Sequence, residues 1–299
     1  MLFKILNRVL VNVVTLFLII LFSYGLMKVV PGNPFEGERN VSPEALAALE
    51  EKYNFTAWEY LSGIILKGDF RYSYQKRDKT VREIIVNALP VSLELGFWAI
   101  LIAITLGMMW GTLAAIYRKK YIEGIVMSIA MIGIIIPNFV LGPLLQLFFS
   151  LHLGWTPVAM WKGFSYKILP VITLSLMYVA YIARITRGSI LDSLTKTYVK
   201  TAKAKGLNSF QIMFRHILRN SLIPIINYLG PATAALLTGS LVVEKVFQLP
   251  GIGREFVESA LQRDYPLALG VLIVYSALLL TINLITDILQ TLIDPRIQL

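Results

Sequence analysis

The chain has 299 residues, 56% of them hydrophobic and only 15% charged, with a formal net charge of +10. A water-soluble domain carries nearer ~25% charged residues, and the apolar residues come in long blocks, so membrane spans are expected in place of one large core. With no cysteines and only two histidines, His152 and His216, disulfides, thiolate chemistry and thiol-based metal sites are excluded.

Lys4 and Arg8 precede a mostly apolar run from Val9 to Met27. A cleaved signal peptide has an apolar stretch of ~7–15 residues followed by small residues. This run is longer and ends in Lys28-Val29-Val30-Pro31-Gly32, so a retained first span is expected. Residues 31–90 are polar and nearly neutral, eight Lys/Arg against nine Asp/Glu. Within them Ser42-Pro43-Glu44 followed by Ala45, Leu46 and Leu49 reads as a capped short helix. Further spans are expected at 94–117, 124–150, 168–187, 225–247 and 267–291. Pro137, Pro143, Pro170 and Pro231 interrupt or begin some of these, as membrane helices tolerate. The organisation expected is therefore residues 1–93, a first span with an external segment, and residues 94–299, a five-span core.

Charge in the loops sets the orientation. Arg118-Lys119-Lys120 joins spans two and three, and residues 184–220 hold eight Lys/Arg against Asp192. Basic loops stay cytoplasmic, so both termini and these loops are placed in the cytoplasm and residues 31–90 outside. Charge concentrated in this way reads as membrane orientation and not nucleic-acid binding. Trp155 and Trp161, in the outer 152–167 loop, suit an interfacial position.

Chemistry is sparse. No G-x-x-x-x-G-K-[ST] loop occurs, so the chain is not expected to bind ATP itself. Pro250-Gly251-Ile252-Gly253 reads as a turn at the outer membrane boundary. Asp287 is the clear acid inside a span. It is expected to be a structural anchor satisfied by water or Arg296, with a proton or substrate role as the alternative.

The sharpest feature is the basic island Lys196–Pro224. A first helix over 195–205 is expected to stop at Gly206, and Asn208 or Ser209 can cap a second. Phe210, Met213, Phe214, Ile217 and Ser221 then share one helical face. Such a helix can lie on anionic lipid. Ala202 and Gly206, a small-x-x-x-small pair, instead suit close packing on another helix.

The island's sequence, YVKTAKAKGLNSFQIMFRHILRNSLIPI, resembles the cytoplasmic "EAA" signature of permease subunits in binding-protein-dependent ATP-binding-cassette importers. It is most similar to the peptide branch, with Ala202 and Gly206 at the small positions and Lys200 and Thr201 replacing the Glu and first Ala. VVPGNPFEGER, KGDFRYSY, IARITRGSILDSL, GSLVVEKVFQLPGIG, QRDYPLALG and NLITDILQTLIDPRI resemble the same family. The first of these, with ALEEKYNF, looks most like the first of the two oligopeptide permease subunits.

The resemblance implies an all-α membrane protein of about six transmembrane helices, with a cytoplasmic coupling helix in the 188–224 loop between spans four and five. This is the type I importer permease fold. It further implies a transport subunit with no catalytic, cofactor or metal site, sitting multi-pass in the bacterial cytoplasmic (inner) membrane. Its partners would be a homologous second permease, two ATPase subunits that carry ATP and Mg²⁺, an external peptide-binding protein and membrane lipid. The ATPase-coupling residues would be Ala202, Gly206, Leu207, Phe210, Met213, Phe214, Arg215 and His216. Glu244, Phe247, Pro250, Gly251 and Gly253 would face the outer gate or binding protein. Asn138, Gln146, Tyr178, Tyr181 and Asn227 are polar span residues that could line the path. The near alternative is a dipeptide, nickel-chelate or glycoside permease of the same family. An autonomous channel or proton-coupled carrier is the alternative from another class.

Overall fold

The structure is a computed structural model and describes residues 2–29, 56–76, 79–238 and 241–293. The helix expected at 42–49, the PGNPFEGER segment and Arg296 lie outside the described residues. Among the described residues there are twelve α-helices, numbered in chain order, and no strand.

α1 (Leu2–Val29) leads to the short α2 (Ala57–Ser62), which a Thr56–Glu59 capping box opens. α3 (Val81–Ile116) begins at a second such box, in which Glu83 N donates to Thr80 Oγ1 and Thr80 N donates to Glu83 Oε2. At 36 residues it is ~54 Å long, well beyond the hydrocarbon core, and it runs through 93/94 without a break. The cap thus starts the second span thirteen residues before the expected position 94.

The third expected span is broken. α4 (Tyr121–Ile135) and α5 (Asn138–Leu145, extended by a π-helical turn Gln146–His152) meet at 108°. Pro137 forces the residue before it, Ile136, into extended backbone (φ −94°, ψ 116°). α6 (Phe164–Leu194) is the most buried long helix. Its central place rests on small residues opposite it: a Cβ on Gly107 would stand 2.7 Å from Ile182 Cβ, and one on Gly111 2.6 Å from Thr186 Cβ. Close approach through glycine is how helices pack when lipid offers no hydrophobic drive.

After α6 come α7 (Thr197–Ala204), α8 (Ser209–Gln211) and a π-helical turn Ile212–Ile217 that runs straight into α9 (Leu218–Thr238). The island's second helix and the fifth span are therefore one continuous helix. The expected span 225–247 takes in most of α9 and the short α10 (Leu241–Val246), in which Val243 and Glu244 are buried. α11 (Ile252–Leu261) and α12 (Tyr265–Ile293) complete the chain.

α1, α3, α6 and α12 are long and apolar enough to cross a membrane, and the bent α4–α5 pair makes a fifth crossing if counted as one. α9, at 21 residues, spans ~31 Å, close to the ~30 Å hydrocarbon core. The largest core joins α3, α6, α9 and α10 through residues such as Leu95, Leu174, Ile182, Leu236 and Phe247. A smaller one packs α1 and α2 on α12 through Ile20, Tyr60, Leu61, Ile64 and Ile273.

Candidate functional site

The island sits on the ends of α3 and α6. Val199, Ala202, Ile212 and Ile217 are buried there with Ala115 and Ile190, and Leu207 and Met213 pack against them partly exposed. Gly206 adopts φ +77°, and a Cβ on it would meet nothing within 4 Å. Its glycine is set by the left-handed turn and not by close packing within this chain. Ala202 faces inward, so the two small residues do not form one contact stripe as expected. Asn208 then caps the next helix reciprocally with Gln211.

The π-helical turn splits the expected apolar face. Its i→i+5 bonding advances the helix more slowly than the 3.6 period assumed. Ile217 is 1% exposed and Ser221 is buried, whereas Phe210 is 70% and Phe214 50% exposed, their rings 4.4 Å apart. Lys200, Lys203, Lys205, Arg215 and Arg219 are exposed and His216 half-buried. An exposed aromatic pair among cations, backed by a packed base, has the composition that protein-interface hot spots share and that helices lying on lipid share as well.

At the opposite end of the bundle, Glu244 on α10 is 0% exposed. Its Oε2 accepts from Gly253 N (2.8 Å) and Arg254 N (3.1 Å), while Ser92 Oγ on α3 accepts from Ile252 N (2.9 Å). Three elements thus meet at the N-terminus of α11, whose free amides and positive partial charge suit a carboxyl group. The glycines make room: a Cβ on Gly251 would stand 2.6 Å from Glu244 Cδ and 2.7 Å from Ser92 Oγ, and one on Gly253 2.9 Å from Glu244 Oε2. Phe247 is buried and Pro250 exposed beside this turn.

Asp264 anchors the same end. At 1% exposed, it accepts from Ser73 Oγ, Tyr74 N (3.0 Å) and Gln75 N (3.3 Å), and from Leu267 N in the first turn of α12 (3.4 Å). Lys76 pairs with Glu255 nearby. Sequence reasoning missed Asp264, although an acidic residue just before a helix containing Pro266 in its first turn was a readable cap signal.

Glu258 ties α10 to α11 through Lys245 Nζ and Arg254 Nε, each 2.8 Å away. Burial pushes its carboxyl upward, but the hydrogen bonds and charges of Lys245 and Arg254 outweigh that and hold it below the usual carboxylate range. A depressed folded-state value adds stability that is present above the unfolded value, about 4.3, and is lost as pH falls through the folded value. The melting temperature of the wild-type protein minus that of Glu258→Gln should therefore stay constant from neutral pH to about 5 and shrink only below about 4.3. Melting curves across pH check this.

The five polar span residues do not converge. Gln146 donates to the carbonyls of Val158 (2.7 Å) and Val246 (3.4 Å), Tyr178 is buried in the main core, and Tyr181 packs tilted on Tyr228 at 5.8 Å. Asn138 sits half-buried at the start of α5. Asn227 lines a groove of about 750 Å³ between α1, α9 and α12. Asp287 faces the same groove, and its partner is Arg8 of α1. Glu94 of α3 takes Lys167 of α6 and the Trp161 indole N–H (3.1 Å). Trp161 is thus fixed by a specific acceptor as well as by any interface.

The family model for the binding-protein-dependent transport system inner membrane component matches residues 103–299. The chain is 44% identical to the oligopeptide transport system permease protein OppB of Haemophilus influenzae, covering 98% of each chain. It is 42% identical to the protein of the same name from Escherichia coli K12, again over 98% of each. The dipeptide transport system permease protein DppB of Bacillus subtilis is 41% identical over 95% of this chain and 94% of its own. Among solved structures, the inward-facing MetNI methionine transporter shares the fold with TM-score 0.61, at 17% identity over 71% of this chain and 97% of that one. An amino acid ABC transporter gives TM-score 0.54 at 19% identity over 72% and 94%.

Proposed function

Because the chain belongs to the family of binding-protein-dependent transport system inner membrane components, we propose that it forms half of the oligopeptide pathway of an ATP-driven importer in a bacterial cytoplasmic membrane. It is a permease subunit and not an enzyme. A homologous second permease completes the pathway, two ATPase subunits bring ATP and Mg²⁺, and an external binding protein delivers the peptide. Full-length identity to oligopeptide permeases supports that substrate class. The similar identity to a dipeptide permease makes dipeptides the near alternative. Loop charge supports placing both termini and the island in the cytoplasm.

The observation that carries the coupling reading is the Phe210–Phe214 pair, held out to solvent on a helix that continues unbroken into the bundle. An ATPase that grips these rings moves α9 directly. Gly206 sets the approach of that helix, while Ala202, Leu207 and Met213 seat it on the permease. Arg215 and His216 flank the rings. Across the membrane, Glu244, Phe247, Pro250, Gly251 and Gly253 form the outer turn that faces the gate and the binding protein. Of the five polar candidates, Gln146 and Tyr178 serve the permease's own packing, Asn227 lines the groove between α1, α9 and α12, and Asn138 and Tyr181 carry no assignment. Alternating access then follows from ligands that bias two states.

Reconstitution tests this. Peptide uptake into liposomes should require both permeases, both ATPases and the binding protein; uptake by this chain alone would overturn the proposal. The Phe210→Ala/Phe214→Ala double variant should keep its stability within about 0.5 kcal/mol, as surface changes do, yet fail to co-purify with the ATPases. Ile217→Ala, made in the packed base, should instead lose about 2–5 kcal/mol.

A further inference from the structure

We propose that the groove between α1, α9 and α12 holds a zwitterionic phospholipid of the leaflet in which α1 begins and α12 ends. The orientation proposed above names that leaflet as cytoplasmic, and the argument rests on that reading only for the name.

The lining is sorted by depth. Toward the start of α1 and the end of α12 lie Arg8, Asp287 and Gln290; farther in lie Ala234, Ala235, Leu279 and Leu280, together with Asn12, whose carboxamide is spent on the Leu280 carbonyl. From Gln290 to Leu279 the axial rise is ~16 Å, which matches half of the ~30 Å hydrocarbon core. A groove whose charges sit at its mouth and whose inner half is mostly apolar, its Asn12 donor already satisfied, has the polarity of one lipid, headgroup and chain. A peptide path would continue polar toward the other face.

The headgroup chemistry follows from the pair at the mouth. Arg8 and Asp287 are joined, with side chains 42% and 26% exposed. A guanidinium carries five donors, so engagement with Asp287 leaves donors for a phosphate. The carboxylate can accept from an ammonium on the same headgroup. Neighbouring positive and negative charges therefore complement phosphate and ammonium together, which singles out phosphatidylethanolamine over phosphatidylglycerol. Ionisable groups inside spans are rare, pair with one another as Arg8 and Asp287 do, and mark functional sites by default. Gln290 Nε2 and Asn12 Nδ2 donate to the carbonyls of Asn227 and Leu280, each at 3.2 Å. They brace the three helices around the groove.

The test uses the assembled importer in nanodiscs of phosphatidylglycerol doped with phosphatidylethanolamine, with retained lipids counted by native mass spectrometry. One tightly held phosphatidylethanolamine is expected. Arg8→Gln and Ala235→Phe, which remove the phosphate donor and fill the apolar end, should each cut retention about tenfold, the weight of one charge-assisted hydrogen bond. Asp287→Asn should keep a lipid but lose the preference between the two headgroups. Equal retention in all variants would overturn the proposal. So would a photo-crosslinkable peptide, or a helix of the second permease, captured at the groove in place of lipid. Ala235→Phe leaves the ion pair intact, so it stays informative if Arg8→Gln fails to insert. Assembly and peptide-stimulated ATP hydrolysis are read on the same samples, so failure of the importer reading would appear there and not in the lipid count.

Discussion

Gly206→Val should abolish peptide-stimulated ATP hydrolysis by the assembled importer while leaving the chain inserted in the membrane. Gly206 holds φ +77°, a region that costs an ordinary L-residue about 1–2 kcal/mol and a β-branched one more. The turn is held by single bonds from Gly206 N to Lys203 O (3.0 Å) and Leu207 N to Ala202 O (3.3 Å), little to resist that strain. It should relax by refolding, which carries Asn208 out of its reciprocal cap and moves the two exposed rings with it. Each 1.4 kcal/mol lost from a docking step is about a tenfold loss, so stimulation should fall at least tenfold. Nothing crowds a Cβ at this position within the chain, so insertion and packing should survive. Gly206→Asn is the control, because Asn visits the left-handed region readily, and it should keep most activity. Normal stimulation in Gly206→Val would refute the role given to this turn.

Features carried by neighbouring residues were legible in the sequence. The Gly206 stop, the Asn208 cap and the disturbance at Pro137 each follow from one or two residues, and the structure places all three where the sequence did. The apolar blocks likewise located the long helices, because a bilayer sets the least length of a span, although the Thr80 cap carries α3 well past it. What was lost depended on distance or on a departure from regular period. A π-helical turn at Ile212–Ile217 cannot be read from a 3.6-residue pattern, so one expected face became two. Asp287 found Arg8, 279 positions away in sequence, a pairing that no local pattern announces. Gln146 reads as a polar residue in a span, but its two main-chain acceptors come from a loop and from α10. The PGIG stretch looked like a bare turn because its purpose lies in Glu244 and Ser92, which only the packing of α3 and α10 brings to it.

That turn carries the second large effect. Glu244→Ala should lower the melting temperature of the purified complex and remove most peptide uptake. The substitution leaves the amides of Gly253 and Arg254 without the acceptor they share, at about 1–3 kcal/mol for each buried group left unsatisfied. It also removes one tie between α10 and α11, leaving the Lys245–Glu258 pair, so the turn is held less firmly to the bundle. Glu244→Gln keeps an acceptor oxygen and should be milder. Gly251→Ala should reproduce the loss from the other side, since its methyl would stand 2.6 Å from Glu244 Cδ and drive the carboxyl group out of place. The decisive measurement is the double variant. With Ala at 244 there is no carboxyl group left to displace, so Gly251→Ala should cost less there than in the wild-type background, by at least about 1 kcal/mol of coupling. Melting curves for the two single variants and the double variant read this directly. Simple addition of the two losses would mean that Glu244 and the glycine turn do not act as one clamp, and that uptake is lost by separate routes.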